Sequence, residues 1–349
     1  MHRTPTSLIT ALLILLLLPI VASAVNKPQP RIIGGQSTSS SAWPSATALQ
    51  IRLPSSNTER FCAGNLIAPQ WILTAAHCFY DIATNQQTVY AGDVTAYPGI
   101  DDLRQLSPER GKTVVNIYIH PQFSGVNSYD FDFALLELAY PENQPVAALA
   151  SSTPDPGEIA TVIGWGVTAV NPATQQPIHN SLAEQLQEVD VPVIDNSQCQ
   201  SAMGSGITDN MICAGYPQGG KDACNGDSGG PMLVYRNHHF IQVGIVSFGI
   251  GCAQPGRYGV YARLTSALPW IHDLVPQAQI DAATVAERKL TPPTTSGEAT
   301  PTPQAPATAL KGDEGGAFTP RQGGGAFGLP MLLLLGGLLV WSRKLQPLA

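Results

Sequence analysis

The sequence predicts an all-β domain with segments of different composition at both ends. Short apolar stretches rich in β-branched residues recur over residues 46–138 and again over residues 158–262, with glycine- and proline-rich turns between them. Strands of this length and spacing are typical of β-barrels and β-sandwiches. The 349 residues give room for about two or three folding units.

The first 24 residues have the pattern of a secretory signal peptide. His2 and Arg3 precede an apolar run and the small-residue cleavage pattern Ala22-Ser23-Ala24. A membrane anchor is the alternative, but the apolar run is short. Export permits disulfides, and the six cysteines are even in number. Metal binding is disfavoured because the chain has no C-x-x-C pair or histidine-rich tract, so we expect no metal site and no cofactor.

Residues 25–31 form a short polar segment that is too small to fold. The segment ends in Arg31-Ile32-Ile33-Gly34-Gly35, a basic residue before two β-branched residues and two glycines. This pattern is typical of a site of proteolytic activation. A cut after Arg31 would release the α-ammonium of Ile32 on a flexible glycine hinge.

From Trp43 onward the apolar stretches predict two series of strands and one helix. The helix, Ala267–Leu274, would close the domain near Pro276 with Trp270 and Ile271 on its apolar face. The predicted strands are Ala46–Leu53, Gly64–Ile67, Trp71–Thr74, Thr88–Tyr90, Thr113–Ile119, Phe133–Leu138, Glu158–Trp165, Ala183–Val193, Asn210–Ala214, Pro231–Tyr235, Phe240–Phe248 and Gly259–Ala262.

After residue 276 the composition changes twice. Residues 277–322 are rich in Pro, Thr and Gly, hold too little apolar surface for a core, and are predicted to be a disordered linker. Residues 323–349 begin with three glycines and contain an apolar run that ends at Trp341, before Arg343 and Lys344. The run predicts a short hydrophobic helix, although a lone membrane span usually needs about 17–25 apolar residues. The basic pair fits the cytoplasmic side of a membrane.

The charge of residues 32–276 bears on the partners of this domain. It has 9 Lys and Arg against 20 Asp and Glu, a net charge of −11. Nucleic acid is therefore excluded as an expected partner, whereas a cationic substrate is electrostatically favoured. The simpler interpretation of most of these charges is solubility of an exported protein.

One glycine-rich stretch, residues 221–231, places Ser228 beside an acid and between glycines. A serine nucleophile needs a base to take its proton and donors to hold the oxyanion that it creates. Flexible glycines would allow the N–H groups of Gly226 and Ser228 to point at one position. The alternative is an ordinary surface turn, since Gly, Asp and Ser are common turn residues.

Two other segments supply a candidate base and a candidate acid. His77 follows an apolar strand, and imidazole is well suited to moving protons near neutral pH. A Cys62–Cys78 disulfide could close a loop of about 15 residues behind it, worth about 3 kcal/mol. Asp132 begins a strongly apolar run, where a carboxylate is expected to be buried and paired. Asp130, two residues earlier on the same face, is its rival.

Residues 32–276 resemble a trypsin-like serine endopeptidase of the chymotrypsin family. The resemblance is carried by Ile-Ile-Gly-Gly, Thr-Ala-Ala-His-Cys, Asp-Phe-Ala-Leu-Leu, Gly-Trp-Gly at residue 164 and Gly-Asp-Ser-Gly-Gly-Pro. The chain order His77, Asp132, Ser228 is also the order of that family. The resemblance implies two six-stranded antiparallel Greek-key β-barrels followed by a C-terminal helix.

The resemblance also implies a mechanism. Ser228 would attack the scissile carbonyl, His77 would carry the proton, and Asp132 would fix the imidazole tautomer. The N–H groups of Gly226 and Ser228 would form the oxyanion hole. Protein or peptide substrates are implied as partners. The alternative function is a catalytically idle, surface-displayed homologue that acts as an adhesin or binding module.

Activation and specificity are implied in the same way. After a cut following Arg31, the Ile32 ammonium would pair with Asp227 and order the oxyanion loop, so the uncut chain would be a zymogen. Asp222 would lie at the base of a pocket for Arg or Lys. Gly249 and Gly259 would form the pocket walls, and Ala223, in place of the serine of trypsin, implies a preference for Arg.

Three disulfides are implied out of 15 connectivities that the sequence allows: Cys62–Cys78, Cys199–Cys213 and Cys224–Cys252. Phe248 stands where the family usually has Trp. Tyr258 stands where trypsin has Pro, a weak hint of sodium dependence. Four acids lie near the calcium loop of some members: Asp93, Asp101, Asp102 and Glu109.

The tail, residues 323–349, resembles the GlyGly-CTERM sorting signal of Gram-negative bacteria. That device implies type II secretion, removal of the tail by a rhomboid-type protease and display at the cell surface. It also implies that the chain meets a membrane only through the tail, and for a time. A plain C-terminal anchor is the alternative.

Overall fold

Two closed β-barrels form most of the structure. The computed structural model describes residues 32–171, residue 178 and residues 181–280. The strands in chain order are β1 (Gln36–Ser37), β2 (Ala46–Leu53), β3 (Thr58–Ala68), β4 (Trp71–Thr74), β5 (Tyr80–Asp81), β6 (Gln86–Gln87), β7 (Val94–Pro98), β8 (Lys112–Ile119), β9 (Ala134–Leu138), β10 (Ala148–Leu149), β11 (Ile159–Gly164), β12 (Gln187–Ile194), β13 (Met211–Ala214), β14 (Pro231–Arg236), β15 (His239–Phe248) and β16 (Gly259–Arg263).

Each barrel has six antiparallel strands. The first closes in the order β2-β3-β4-β9-β8-β7. The second runs β12-β11-β14-β15-β16-β13 and closes because β13 also pairs with β12. The implied pair of six-stranded barrels is therefore confirmed. Two short strands join the second barrel from outside, β1 on β12 and β10 in parallel on β15.

The alternation of the side chains explains why these segments form strands. Along β12, Gln187, Val189, Val191 and Val193 are buried, while the residues between them are half-buried or exposed. This period of two places every second side chain inside the barrel. The second barrel is filled in this way with small and β-branched residues, and Ile32 is fully buried in the same cluster.

Two α-helices accompany the barrels in the described residues, α1 (Asn196–Met203) and α2 (Leu264–Leu274). The predicted closing helix is confirmed as α2, which packs Leu264 and Ile271 against the core of the first barrel. The sequence analysis missed α1, which buries only Cys199 and so lacks an apolar face. Its capping residues are a recognisable signal, because Asp195 accepts the Ser197 N–H and Gly204 follows the last turn with φ +101°.

One predicted strand is wrong. Thr88–Tyr90 forms no strand, because the Thr88 and Val89 N–H groups both bond the carbonyl of Phe79. Val89 is fully buried and anchors a loop, while Tyr90 is exposed. The first barrel instead takes its missing strand from β7, Val94–Pro98, which the sequence analysis did not assign.

The segments that flank the barrels lie outside the described residues. These segments are the predicted signal peptide, the segment that ends at Arg31, most of the linker and the tail at residues 323–349. Of the helices between residues 32 and 280, neither combines the length and the apolar character that crossing a bilayer requires.

Candidate active site

A histidine and an aspartate of the first barrel form a hydrogen-bonded pair. His77 lies in a short 3₁₀ turn after β4, and Asp132 lies two residues before β9, the neighbour of β4. The Nδ1 of His77 is 2.7 Å from Oδ2 of Asp132, and the backbone N–H of His77 donates to Oδ1 at 2.9 Å. Because a carboxylate accepts at Nδ1, the proton sits on that nitrogen, and Nε2 is left free to take another.

The carboxylate of Asp132 is fully buried and has a third donor. The hydroxyl of Ser247, in β15 of the second barrel, donates to Oδ2 at 2.6 Å. Buried carboxylates require such partners. The sequence analysis did not identify Ser247, and no local signal marks it, because only the fold brings β15 to Asp132. The rival Asp130 does not replace Asp132, since its carboxylate accepts hydrogen bonds from Thr208 and Asn210.

The loop that carries Ser228 is bonded to the first barrel, which also holds this pair. The N–H of Ala63 donates to the Ser228 carbonyl at 2.8 Å. At Gly229, φ is +79°, and a Cβ atom would lie 2.1 Å from Oγ1 of Thr74. Glycine is therefore required where the nucleophile loop crosses β3 and β4. Ser228 itself is half-buried.

Two backbone donors stand free beside Ser228. Among the described residues, the N–H groups of Gly226 and Ser228 have no hydrogen-bond acceptor, although buried or half-buried N–H groups are nearly always paired. Gly226 has φ +99°, which favours glycine. Such a pair of donors is suited to binding a negatively charged oxygen.

Asp227 points away from Ser228 into the second barrel. Its carboxylate is fully buried and accepts the Gly166 N–H at 2.7 Å and the Cys224 N–H at 2.9 Å. Burial raises the pKa of Asp227 to about 7. A Cβ atom on Gly164 or Gly166 would lie 2.2 Å from this carboxylate. The Gly-Trp-Gly motif is thus explained by the space that Asp227 occupies.

The glycines at residues 34 and 35 are packed tightly. A Cβ atom on Gly34, which has φ +71°, would lie 2.2 Å from the Gly220 carbonyl oxygen, and one on Gly35 would lie 2.5 Å from that of Glu188. Gly34 and Gly35, which were expected to form a flexible hinge, are in this structure in close contact with the second barrel and the Gly220 carbonyl. The Asp222 N–H donates to the Ile33 carbonyl and so links this segment to residue 222.

Asp222 is a buried acid that lies against β16 of the second barrel. It is 5% exposed, and its Oδ2 accepts the Ala253 N–H at 3.0 Å. Its Oδ1 and the hydroxyl of Tyr261 are buried without hydrogen-bond partners among the described residues. Burial raises the pKa of Asp222 to about 7, with Asp227 contributing. The sequence analysis did not single out Tyr261.

The two glycines assigned to the pocket walls differ in their surroundings. A Cβ atom on Gly259 would lie 2.7 Å from Oδ1 of Asp222 and would cover the acid. A Cβ atom on Gly249 would meet only the Gly251 carbonyl oxygen, at 3.3 Å. Gly259 therefore leaves room for the Asp222 carboxylate, while the carbonyl of Gly251 is the one neighbour within 4 Å at Gly249.

The six cysteines form the three pairs that the resemblance implied. These disulfides are Cys62–Cys78, Cys199–Cys213 and Cys224–Cys252. The first lies directly behind His77. The third joins the Asp222 segment to residue 252, next to the Ala253 N–H that bonds Asp222.

Three of the four acids considered for calcium have other partners, and the fourth, Glu109, is exposed. Asp93 pairs with Arg52, Asp102 pairs with Arg104, and Asp101 accepts the Ser40 N–H. In the part of the chain that the structure describes, no three His, Cys, Asp or Glu residues cluster as metal ligands would.

The two barrels, the His77–Asp132 pair and the Ser228 loop bonded to the first barrel agree with a serine endopeptidase architecture. A family model described as Trypsin matches residues 32–271, and the chain belongs to the trypsin family. It is similar to the human protein named Transmembrane protease serine 5, with 34% identity over 253 residues. The match covers 70% of this chain and 51% of that relative, so the chain spans about half of the relative's length.

Proposed function

We propose that this protein is a serine endopeptidase that cleaves peptide bonds after Arg and Lys. The observation that carries the catalytic part of the proposal is the buried Asp132, whose carboxylate accepts hydrogen bonds from both His77 and Ser247. In this mechanism the Ser228 hydroxyl adds to the scissile carbonyl and passes its proton to Nε2 of His77. Asp132 stabilises the resulting imidazolium.

The tetrahedral intermediate formed by this addition then collapses to an acyl-enzyme. The Gly226 and Ser228 N–H groups would hold the oxyanion, which agrees with their lack of other acceptors. The leaving amine takes the proton from His77 as the C–N bond breaks. Water, deprotonated by the same imidazole, then releases the acid product and restores Ser228.

Asp222 supports selection of Arg or Lys. Its Oδ1 lacks a donor, and its burial penalises the bare carboxylate. A guanidinium or ammonium entering the pocket would supply both the charge and the missing donors, whereas an apolar side chain would leave the acid unpaired.

We also propose that the chain is a zymogen activated by a cut after Arg31. Among the described residues, Asp227 is buried with two N–H donors and no ion-pair partner. The Ile32 ammonium, once freed, would supply the cation and stabilise the ionised acid. Ile32 is already buried in the same barrel. Because Arg31 fits the proposed specificity, a second copy of this enzyme or a related enzyme of the same specificity would be able to make the cut.

Export of the protein is part of the proposal. The sequence pattern of residues 1–24 and the three disulfides support export, since disulfides persist in oxidising compartments. The tail at residues 323–349 supports transient anchoring and rhomboid-type processing in a Gram-negative bacterium after type II secretion.

Peptides that differ only before the scissile bond test this proposal. The converted protein, beginning at Ile32, should cleave after Arg and Lys far faster than after Phe, and the Ser228→Ala protein should not cleave. A preference for Phe would overturn the specificity. If Ser228→Ala left every biological effect intact, the adhesin hypothesis would be favoured instead.

A further inference from the structure

The segment directly before Asp132 has an unusual backbone. Tyr129 and Phe131 have φ of 55° and 52°, a region that bulky L-residues rarely occupy. Residues keep such a conformation only where the surrounding contacts hold it. Residues 129–131 therefore need anchors, and the side chain of Asp130 between them is the most connected.

Hydrogen bonds of the Asp130 carboxylate link the first barrel to the second. Its Oδ1 accepts the Thr208 hydroxyl at 2.6 Å, and the Asn210 amide nitrogen lies 3.1 Å and 3.2 Å from its two oxygens. Thr208 and Asn210 come just before β13, a strand of the second barrel. On the other side, the Phe131 ring stacks on His120 with centroids 4.8 Å apart.

The segment delivers two groups to the imidazole. The Tyr129 ring lies edge-on to the His77 ring at 5.6 Å and also contacts Phe248 at 5.0 Å. The Asp132 carboxylate bonds Nδ1 and the N–H of His77. His77 and Asp132 belong to the first barrel, whereas Ser228 belongs to the second. Any shift between the barrels would therefore misalign the base and the nucleophile.

We propose that Asp130 is a positioning residue that locks the Asp132 loop to the second barrel through Thr208 and Asn210. It touches no reacting atom and acts through Asp132 and His77. All the donors are neutral, so the required property is an acceptor at this position, not a negative charge. An asparagine keeps one acceptor oxygen and should therefore preserve the positioning role of Asp130. The kinetic test below rests on the proposed endopeptidase function, but the spectroscopic test does not.

The kinetic test compares Asp130→Ala, Asp130→Asn and the matched control Asp209→Ala in the converted enzyme. Asp209 is exposed and lies between the two donors. With rates normalised to titrated active sites, Asp130→Ala should lower kcat roughly 10–100-fold, as a small misplacement of catalytic groups does. The kcat of Asp130→Asn should remain within about threefold of the parent value, and the kcat of Asp209→Ala should equal the parent value. A role in stability alone would lower the melting temperature and leave kcat per titrated site unchanged.

The second test needs no catalysis. In the Ser228→Ala background, proton NMR observes the Nδ1–H of His77 that is donated to Asp132. Asp130→Ala should shift or broaden this downfield signal, and Asp130→Asn should preserve it. If Asp130→Ala does not fold, Thr208→Val removes the shortest hydrogen bond and takes its place in both tests. An unchanged kcat and signal in the alanine variant, or equal damage from asparagine, would overturn the proposal. If the parent hydrolyses no peptide, the endopeptidase proposal fails while the NMR result still decides this one.

Discussion

Replacement of Asp222 by asparagine isolates the charge at the base of the pocket. The amide keeps the size of the carboxylate and an oxygen that accepts the Ala253 N–H, so the hydrogen bond of 3.0 Å should survive. What disappears is the buried negative charge and the free acceptor Oδ1. The fold should tolerate the change well, because the charge itself is penalised by burial.

The size of the effect follows from that penalty. Burial raises the pKa of Asp222 from 3.8 to about 7, which corresponds to an electrostatic cost of about 4 kcal/mol for the unpaired carboxylate. A bound guanidinium relieves a cost of this order, and asparagine has no such cost to relieve. We therefore expect kcat/KM for an Arg peptide to fall roughly 10³-fold.

The assay compares Arg with citrulline before the scissile bond, since citrulline has nearly the shape of arginine without its charge. The parent should prefer Arg strongly, and Asp222→Asn should cleave both peptides at similar low rates. Asp209→Asn, which removes an exposed acid from the same barrel, should keep the parent's preference. A persistent Arg preference of 100-fold or more in Asp222→Asn would refute the electrostatic account.

Two further predictions concern Asp227. Gly166→Ala should cost about 1–3 kcal/mol and lower Tm by roughly 2–12 °C, because its Cβ would lie 2.2 Å from Oδ2 of Asp227. Gly92→Ala, whose Cβ would meet no atom within 4 Å, should leave Tm and activity intact; equal effects of the two would contradict this packing account. The uncut chain should lose stability, on the order of a few kcal/mol, as pH rises from about 4 to about 7. Burial raises the pKa of Asp227 to about 7. In this pH range the folded state therefore binds more protons than the unfolded state, so rising pH favours unfolding. Chemical denaturation at several pH values measures this slope. Asp227→Asn should reduce the slope to about half, because burial also raises the pKa of Asp222 to about 7. A stability that rises between about pH 4 and about pH 7 would count against the account.

Much of the candidate site could be predicted from the sequence because its residues lie in short contiguous motifs. The proposed nucleophile, oxyanion donors and specificity acid lie within residues 222–228, which belong to the one connection between β13 and β14. The strands with clear apolar character were also predicted, and β2 and β4 have the predicted bounds.

The groups that the sequence did not reveal depend on long-range contacts. Ser247 contacts Asp132 only because β15 of the second barrel passes the first barrel. Asp130 resembles a rival acid until its partners, 78 and 80 residues away, are known. Strand β7 was missed because a short strand ending in Pro98 has a weak local pattern. The strand at Thr88–Tyr90 was wrongly predicted because Val89, a single buried side chain in a loop, resembles a strand residue in the sequence.

Labelling of Ser228 tests the central claim most directly. A serine-directed phosphonate is mixed with the uncut chain and with the chain that begins at Ile32, and the modified peptide is identified by mass spectrometry. The account predicts rapid labelling of Ser228 after the cut and slow labelling before it, with none in His77→Ala. Equal labelling of both forms would contradict activation at Arg31, and no labelling of the cut form would contradict the proposed nucleophile.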